Sequence, residues 1–357
     1  MPINLSIHSN IRDYTVSFED HAGFIDELAQ HPLAYFVIDE NVWEIYSGTL
    51  LKNLPAEATI VLPINEERKS LDTVRELYDG IVERPAKRNL TLISFGGGIL
   101  QDITGFAAST IYRGINWIYV PTTLLAQADS CIGSKTSLNY RKYKNLIGTF
   151  FPPIQIHIHT PFLQSQLDSD FYSGYGEVIK LHLMGGADLF KQLTELSPHI
   201  LARENKALTM AIWQSLKVKL TYMDGDEFDM GRRNLLNFGH DFGHALESTS
   251  NFDVPHGQAV IFGMIAANSV SRQRGLIDKG LEKEITENLL IPSLVVKPTP
   301  EALDADTMIN AMKKDKKRTG DKLALIMMNS RFEFTRVNDL TPEEVAVTLD
   351  VLKEQVI

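Results

Sequence analysis

The stretch TLISFGGGILQDITG, residues 91–105, decides the fold class of this chain. Thr91–Phe95 is a short apolar run typical of a buried strand, and Gly96–Gly98 follows it directly, before a helical pattern that contains Asp102 and Gly105. Glycines at such a turn let the backbone approach a phosphate group, and the helix N-terminus adds N–H donors and a positive dipole end. The stretch predicts either a phosphate-binding turn or, because it lacks the GxGxxG pattern, an ordinary tight turn.

The flanking sequence repeats this alternation of strand and helix. Buried strands are predicted at Ala34–Ile38, Thr59–Leu62 and Trp117–Val120, and the polar amphipathic stretch Ser70–Arg84 is typical of a helix. Strands that alternate with helices indicate βαβ units and a parallel sheet. After the last of these strands, residues 121–123 (PTT) offer two hydroxyl groups on a second loop, which strengthens the phosphate-binding interpretation.

A change in composition near residues 151–161 indicates a domain boundary. Prolines there flank the alternating run IQIHIH, in which His157 and His159 lie on one face. We expect these two to be packed or surface strand histidines rather than metal ligands. The boundary divides the chain into an α/β domain at residues 1–158 and a mostly helical domain at 159–357.

The second half of the chain carries helical rather than strand patterns. One late strand is predicted at Leu323–Met328. The predicted helices are Asp168–Met184, Ala187–Met223, Leu235–Ser250 and Gly257–Arg274.

Composition and charge narrow the class of protein. The chain has 357 residues, a formal net charge of −10 and a single cysteine, Cys131. An acidic chain is a poor partner for nucleic acid, and one cysteine excludes an intrachain disulfide and favours a reducing compartment. The first residues lack the pattern of a signal peptide, and no apolar run approaches the roughly 18 residues of a membrane helix. We expect a soluble cytoplasmic protein.

Histidines and a glutamate in the second half suggest a metal site. His240 and His244 stand four residues apart in NFGHDFGH, His256 follows Pro255, and Glu177 lies in GYGEVIK. Residues at i and i+4 share one helix face, and catalytic zinc takes three imidazole or carboxylate ligands and leaves one position open. Three of these four side chains would suffice, and spacing does not decide which histidine is spare.

Basic residues occur inside apolar or glycine-rich motifs rather than in charge runs. Several such cations near predicted metal and phosphate sites indicate a substrate that carries two anionic groups. They are Arg113, Lys135, Lys144, Lys180, Arg233 and the Asp315-Lys316-Lys317 segment.

Taken together and in this order, the motifs resemble those of 3-dehydroquinate synthases, within the sugar phosphate cyclases. The resemblance extends from about Asp39 to about Met328. Its carriers are EERKS (66–70), GGGILQDITGFAAS (96–109), RG (113–114), PTTLLAQADSCIGSKT (121–136), KNLIG (144–148), GEVIK (176–180), GRRNLLNFGHDFGHALE (231–247), PHGQAV (255–260) and DKK (315–317).

The resemblance implies a Rossmann-like NAD domain followed by a helical metal domain, and it implies site residues motif by motif. The metal ligands would be Glu177, His240 and His256, with zinc, or alternatively cobalt, as the ion. His244 would face the substrate, and Arg113 would reach across the interface of a homodimer. NAD would contact Asp39, Asn41, Glu66, Lys69, Gly97, Gly98, Asp102, Thr122, Thr123, Asp129 and Lys144. The substrate would contact Lys135, Asn145, Lys180, Lys219, Arg233, Asn237, His244 and Lys316.

The activity that the resemblance implies is a multistep cyclisation in the shikimate pathway of aromatic amino acid biosynthesis. The substrate would be 3-deoxy-arabino-heptulosonate 7-phosphate. NAD would remove a hydride, phosphate would leave by elimination, the hydride would return, and an intramolecular aldol reaction would close the carbocycle. NAD would therefore be recycled within each turnover.

The chain departs from the family's motifs at several positions. Gln101 and Ser134 stand where the family usually has glycines, Tyr143 replaces a glycine before KN, and Asp241 replaces a threonine. The segment NSRFEF after Met328 lacks the family's usual late glycine motif. These changes touch both the cofactor and the metal motifs, which would suit a relative specialised for another sugar phosphate.

Three other functions fit parts of the pattern. The first is a cyclase that makes an aminated dehydroquinate, a valiolone or a deoxy-inosose. Cyclases whose sugars lack a carboxylate generally have other residues at the positions that correspond to Arg233 and Asn237. Both residues are kept here, which favours a substrate with a carboxylate. The second is a metal-dependent glycerol or alcohol dehydrogenase, whose neutral polyol needs no cluster of cations. The third is a non-catalytic relative, which retention of the site residues disfavours.

Overall fold

The computed structural model describes residues 4–84, 88–141, 143–314 and 322–356. The chain forms two compact units, Met1–Gln166 and Leu167–Ile357. The boundary predicted after residue 158 falls at the end of a strand, and the short 3-10 helix that follows, Thr160–Gln164, belongs to the first unit.

The first unit is built on a seven-stranded sheet in the order β1-β2-β9-β6-β5-β3-β4. Among the described strands of this sheet, β1 pairs with β2 antiparallel and the other neighbouring pairs are parallel, as the alternation of strands and helices predicts. A separate two-stranded hairpin pairs β7 with β8. The strands are β1 (Asn4–Ile7), β2 (Tyr14–Phe18), β3 (Ala34–Asp39), β4 (Thr59–Leu62), β5 (Thr91–Gly96), β6 (Asn116–Pro121), β7 (Lys135–Tyr140), β8 (Tyr143–Phe150) and β9 (Gln155–Ile158).

Within the described residues of this unit, four α-helices connect these strands, and two of them begin at side-chain caps. The Asp39 carboxylate accepts a hydrogen bond from the backbone N–H of Asn41, and Ser70 caps the next long helix through the N–H of Thr73. Such caps satisfy backbone donors that have no partner inside the helix. The helices are α1 (Gly23–Ala29), α2 (Glu40–Tyr46), α3 (Leu71–Val82) and α4 (Gly98–Thr110), and a π-helical turn spans Ala126–Ser130.

The central strands are buried over almost their whole length, as parallel strands covered on both faces must be. Phe36, Ile38, Ile93 and Phe95 form the middle of the core of the first unit. Apolar residues in continuous runs gave a strong strand signal, and the predicted strands correspond to β3, β4, β5 and β6 within one residue at each end. The IQIHIH run forms β9.

The two histidines of β9 have structural partners. His157 Nδ1 lies 2.8 Å from Glu19 Oε1, and His159 Nδ1 lies 2.9 Å from the Glu19 carbonyl oxygen. The His157 ring also stacks on Phe24. Their expected role as packed strand histidines is confirmed.

The strand order reverses between β3 and β5. From β3 the chain passes to β4 on one side, and it then returns to β5 on the other side and continues to β6. Gly96, at the end of β5, pairs with Pro121, at the end of β6, and the Thr122 N–H donates to the Gly96 carbonyl at 3.0 Å. The glycine turn and the PTT loop therefore lie side by side where α/β sheets usually bind ligands.

The hairpin β7–β8 was not predicted, and neither were β1 and β2. The hairpin strand KTSLNY at Lys135–Tyr140 is mostly polar, and the first half of β8 is exposed. A two-stranded ribbon with little buried surface has no apolar alternation for a sequence pattern to detect.

The second unit is mostly helical, with one two-stranded antiparallel sheet formed by β10 and β11. Within the described ranges, none of the helices combines the length and apolar character that a bilayer crossing requires. The helices and strands of the second unit are α5 (Asp168–Met184), α6 (Ala187–Leu201), α7 (Asn205–Met223), α8 (His240–Thr249), α9 (His256–Gln273), α10 (Lys279–Ile285), α11 (Ile291–Ser293), α12 (Ala305–Lys313), β10 (Leu323–Met328), β11 (Phe334–Leu340) and α13 (Pro342–Val356).

Two predicted helices are interrupted. The single helix predicted over 187–223 is α6 and α7, because Arg203 adopts a left-handed conformation with φ of 57°. The helix predicted from residue 235 begins instead as a 3-10 turn at Arg232–Asn237, and α8 starts only at His240, after Gly239 with φ of 80°. A residue in the left-handed conformation ends a helix.

Glycines allow α9 to approach its neighbours at backbone distance. A Cβ atom on Gly257 would lie 1.7 Å from the Ser173 carbonyl oxygen of α5, and one on Gly263 would lie 1.8 Å from the Gly239 carbonyl before α8. Backbones can be this close only where no side chain intervenes. The N-termini of α8 and α9 are thereby held next to the middle of α5.

We expect Gly263→Ala to destabilise the protein by roughly 2 kcal/mol or more, because a methyl group in a packed backbone contact forces the helices apart. Urea unfolding would measure the loss. Gly280→Ala is the matched control, since Gly280 is exposed in α10 and faces only the Asp278 side chain. An unchanged unfolding free energy in the Gly263 variant would contradict the close helix contact.

Candidate functional site

Three side chains from three helices converge in the second unit. Glu177 lies in the middle of α5, while His240 and His256 are the first residues of α8 and α9. Glu177 Oε1 is 3.5 Å from His240 Nε2 and 3.2 Å from His256 Nε2. One ligand atom from each of the three lies within 4.8 Å of the others. The predicted ligands are thus brought together.

Charge is concentrated around Glu177. Its carboxylate is buried, and Lys180, one helical turn later, places Nζ 2.5 Å from Oε2. Burial alone would raise the pKa of Glu177, but the Lys180 ammonium and then His256 hold that pKa well below its usual range. Partial burial opposes the charged form of His256, but hydrogen bonds with Glu177 and Glu247 raise the pKa of His256 to about 10. An ion bound here would displace a proton from His256.

The donor set fits a divalent metal. One carboxylate and two imidazole nitrogens form a three-ligand set of the kind that catalytic zinc uses. The His240 ring is already oriented, because its Nδ1 lies 3.1 Å from the Phe238 carbonyl oxygen and its Nε2 faces Glu177. The His244 ring centre lies 5.2 Å from that of His240 and 6.0 Å from that of His256. His244 also belongs to a second candidate group with Glu247 and His256.

The second unit buries further cations that the sequence singled out. Lys180, Lys219 and Arg233 are all buried, on α5, α7 and the 3-10 turn before α8. The turn that carries Arg233 is held by Asp226, which accepts the Arg233 N–H at 2.8 Å, and Arg233 Nη1 donates to the Glu227 carbonyl. Asn237 is half-buried on the same turn. Lys316 lies outside the described residues.

In the first unit, Lys69, Asp102 and Asn145 form one hydrogen-bonded group. Lys69 Nζ is 2.5 Å from Asp102 Oδ2 and 2.7 Å from Asn145 Oδ1. Ser137 Oγ lies 3.1 Å from Asp102 Oδ2 and 2.9 Å from Asn145 Oδ1, so its single O–H can donate to either oxygen. Burial is the largest influence on Asp102 and raises its pKa despite the neighbouring lysine. Asn145, assigned to the substrate, is therefore joined to residues assigned to NAD.

A second polar group lies beside it. Asn139 Nδ2 donates to Glu66 Oε1 at 2.8 Å, and Lys144 Nζ lies 4.0 Å from the same oxygen. Asn139 Oδ1 in turn accepts the Asn145 N–H at 2.9 Å. Sequence reasoning assigned no role to Asn139 or Ser137, although both stand within the SKTSLN stretch, because the strand that carries them was not predicted.

The remaining residues assigned to NAD surround the carboxyl ends of the central strands. Gly97 is the N-cap residue of α4, and a Cβ atom there would meet the Thr123 side chain at 3.1 Å. Asp39, at the end of β3, also accepts from the Asn41 side-chain amide at 3.1 Å. Thr122 is buried, and Asp129 lies in the π-helical turn. Arg113 and Lys135 are exposed on the first unit.

Two of the departures from the family's motifs, Gln101 and Asp241, have local structural roles. Gln101 donates to the Ser130 carbonyl at 2.7 Å and accepts from the Ser130 hydroxyl, which ties α4 to the π-helical turn. Asp241 accepts the Ile326 N–H at 3.1 Å and links the start of α8 to β10. Ser134 has φ of 65°, a conformation in which glycine is usual. Tyr143 begins β8 and is exposed.

Comparison with known proteins agrees with this arrangement. Residues 59–173 match the N-terminal region of 3-dehydroquinate synthase, and residues 174–318 match its C-terminal region. A 3-dehydroquinate synthase of Acidithiobacillus ferrooxidans is 36% identical over 340 residues, which cover 94% of this chain and 93% of that protein. The chain belongs to the 3-dehydroquinate synthase family.

Solved structures show the same fold across related sugar phosphate cyclases. A 2-epi-5-epi-valiolone synthase from Streptomyces hygroscopicus subsp. jinggangensis 5008, solved with NAD+ and Zn2+, aligns with a TM-score of 0.86 and 25% identity, over 98% of this chain and 99% of that one. A 2-deoxy-scyllo-inosose synthase aligns with a TM-score of 0.81 and 21% identity, over 97% and 99%. The predicted family, fold class and membership among sugar phosphate cyclases are confirmed.

For the metal cluster, we expect His240→Ala and His256→Ala to lose bound metal, because each removes one of three ligand atoms, whereas His244→Ala should keep it. Elemental analysis after desalting would measure metal content per chain, and circular dichroism would verify that each variant is folded. Metal loss in the His244 variant alone would show that the wrong histidine has been set aside.

For the glycine turn, we expect Gly97→Asp to weaken NAD binding by roughly tenfold or more, because two like charges about 4 Å apart near a protein surface repel by several kcal/mol. Isothermal calorimetry would measure the affinity. Gly48→Asp is the matched control, since Gly48 is exposed and a Cβ atom there meets nothing within 4 Å. Unchanged NAD affinity in a folded Gly97 variant would place the pyrophosphate elsewhere.

Proposed function

We propose that this chain converts 3-deoxy-arabino-heptulosonate 7-phosphate into 3-dehydroquinate and phosphate, with NAD and zinc as cofactors. The proposed reaction combines oxidation, phosphate elimination, reduction and an intramolecular aldol closure. The observation that carries the proposal is the Glu177–His240–His256 cluster with a buried cation, Lys180, ion-paired to its carboxylate. Cobalt is the alternative metal.

The cofactor assignment rests on the donor set and on the relatives. A valiolone synthase with the same fold was solved with NAD+ and Zn2+. When bound, NAD would supply reversible hydride transfer and zinc would supply Lewis acidity toward substrate hydroxyl groups. Glu177, His240 and His256 would hold the metal, and the Gly97–Gly98 turn would meet the pyrophosphate of NAD.

The chain's own residues would bind and orient the substrate. Arg233 would pair with the substrate carboxylate, because a planar guanidinium can give two parallel hydrogen bonds where a lysine offers a point charge. Its buried position strengthens such a pair by excluding water. Asn237, on the same turn, would add an amide contact, and Lys135 and Asn145 would serve the phosphate. Lys219 and Lys316 would complete the substrate contacts.

Proton movement needs a base near the metal cluster. His244 is half-buried next to both histidines of the cluster, and imidazole is the side chain that most often serves as a general base. We assign it that role, while Lys180 holds the Glu177 carboxylate in place. The homodimer, the reach of Arg113 across its interface and the cytoplasmic location stay predictions.

A specialised cyclase for a sugar without a carboxylate is the second candidate. Gln101 and Ser134, which replace family glycines, favour it, as does the similarity to a valiolone synthase. Arg233 and Asn237 oppose it, because cyclases whose sugars lack a carboxylate generally have other residues at these two positions, and both are kept here. A metal-dependent dehydrogenase fits less well than either cyclase, because it needs no cation beside its metal ligands. It would also release reduced NAD.

A phosphate-release assay with a panel of sugar phosphates separates these activities. The proposed enzyme releases phosphate from the seven-carbon acid without net formation of NADH. A dehydrogenase accumulates NADH instead. Faster phosphate release from sedoheptulose 7-phosphate, which has no carboxylate, would establish the specialised cyclase and overturn our assignment of Arg233.

We expect Arg233→Lys to reduce kcat/KM for the acid substrate by a factor equivalent to roughly 1.5–3 kcal/mol, the range for a lost charge-assisted hydrogen bond. Steady-state phosphate release would measure it. Arg232→Lys is the matched control, because the neighbouring Arg232 is exposed and lies over the Tyr222 ring. Equal effects in both variants would argue against a specific carboxylate contact.

A further inference from the structure

A second carboxylate approaches the metal cluster from α8. Glu247 Oε1 lies 3.4 Å from His256 Nδ1, and Glu247 is buried, with 8% of its surface exposed. It closes the GRRNLLNFGHDFGHALE motif, yet neither the proposed metal ligands nor the proposed substrate contacts include it.

The two nitrogens of His256 face two different carboxylates. Nε2 lies 3.2 Å from Glu177 Oε1, inside the cluster, while Nδ1 faces Glu247. A carboxylate that accepts from Nδ1–H fixes the tautomer, so that the Nε2 lone pair is available to a metal. It also fixes the rotation of the ring and increases the basicity of Nε2.

His256 needs such a restraint more than His240 does. Its side chain is 36% exposed, against 11% for His240, so the surrounding protein constrains its ring less. The His240 ring is held by a backbone carbonyl at Nδ1, and His256 has a carboxylate in the equivalent place.

We propose that Glu247 is a positioning residue for metal binding, which holds the His256 imidazole with Nε2 directed at the ion. This inference rests on the proposed metal site at Glu177, His240 and His256. The His256 ring directs Nε2 at the ion only when Nδ1 points toward Glu247. Glu247 therefore contacts the far side of the ring and lies outside the proposed ligand set.

The test measures zinc affinity of the metal-free full-length protein by competition with a chromophoric chelator. We expect Glu247→Ala to weaken zinc binding by roughly 10–100-fold, as for other carboxylates that support a metal-bound histidine. Glu247→Gln should recover most of the affinity, because its amide oxygen still accepts from Nδ1–H. The cobalt-loaded variants should keep the parent absorption spectrum and one ion per chain, because the ligands are unchanged.

A matched control removes a carboxylate that pairs with the other end of α9, away from the cluster. Glu282 Oε2 pairs with Arg272 Nε at 2.7 Å near the C-terminal end of α9. Glu282→Ala should leave zinc affinity unchanged. An equal loss of affinity in this control would reduce the Glu247 effect to general destabilisation and overturn the proposal.

Other outcomes of these measurements would also contradict the proposed role of Glu247. Parent-like zinc affinity in a folded Glu247→Ala variant, or an equally large loss in Glu247→Gln, contradicts a hydrogen-bond role. Two ions in the parent and one in Glu247→Ala would make Glu247 a ligand of a second site with His244 and His256. Glu177→Ala tests the underlying metal site separately: undiminished zinc binding there would remove the site itself, whatever the Glu247 variants do.

Discussion

The buried negative charge of Glu177 is the constraint on which the second unit depends. A carboxylate this far from water is tolerable only with cations and hydrogen-bond donors around it. Lys180 supplies one cation from the same helix, and His256 supplies another, with a pKa of about 10. Each partner comes from a fixed helix position. The packing of α5, α8 and α9 therefore also determines whether the charge of Glu177 is balanced. A divalent ion would take over the compensation that the His256 proton provides.

The sequence predicted much of this because the relevant signals are local. Buried strands such as Thr91–Phe95 are continuous apolar runs, and the glycine turn follows directly in the chain. The metal candidates were recognisable as residue types, but helix spacing alone left four candidates for three positions. The resemblance to a known family separated His256 from His244, and the structure then placed His256 Nε2 against Glu177.

What the sequence did not predict is long-range and polar. The β7–β8 hairpin carries Ser137 and Asn139, whose partners lie in α4 and in the loop before α3. No periodicity marks such contacts, because each depends on two distant segments meeting at hydrogen-bond distance. The break at Arg203 was missed for another reason: a left-handed residue other than glycine leaves no compositional trace. Asp241 looked like an anomaly in a motif until Ile326 was seen to donate to it.

The glycine contacts of α9 have a consequence for how this protein can change over time. Every other amino acid carries a Cβ atom, so no single nucleotide substitution in the codon of Gly257 or Gly263 yields a residue that fits against the backbone opposite. Neither glycine can be replaced stepwise through tolerated residues. A larger residue would fit only if the facing backbone moved at the same time. The crossing of α5, α8 and α9 that brings Glu177, His240 and His256 together therefore stays fixed while exposed side chains elsewhere are free to change.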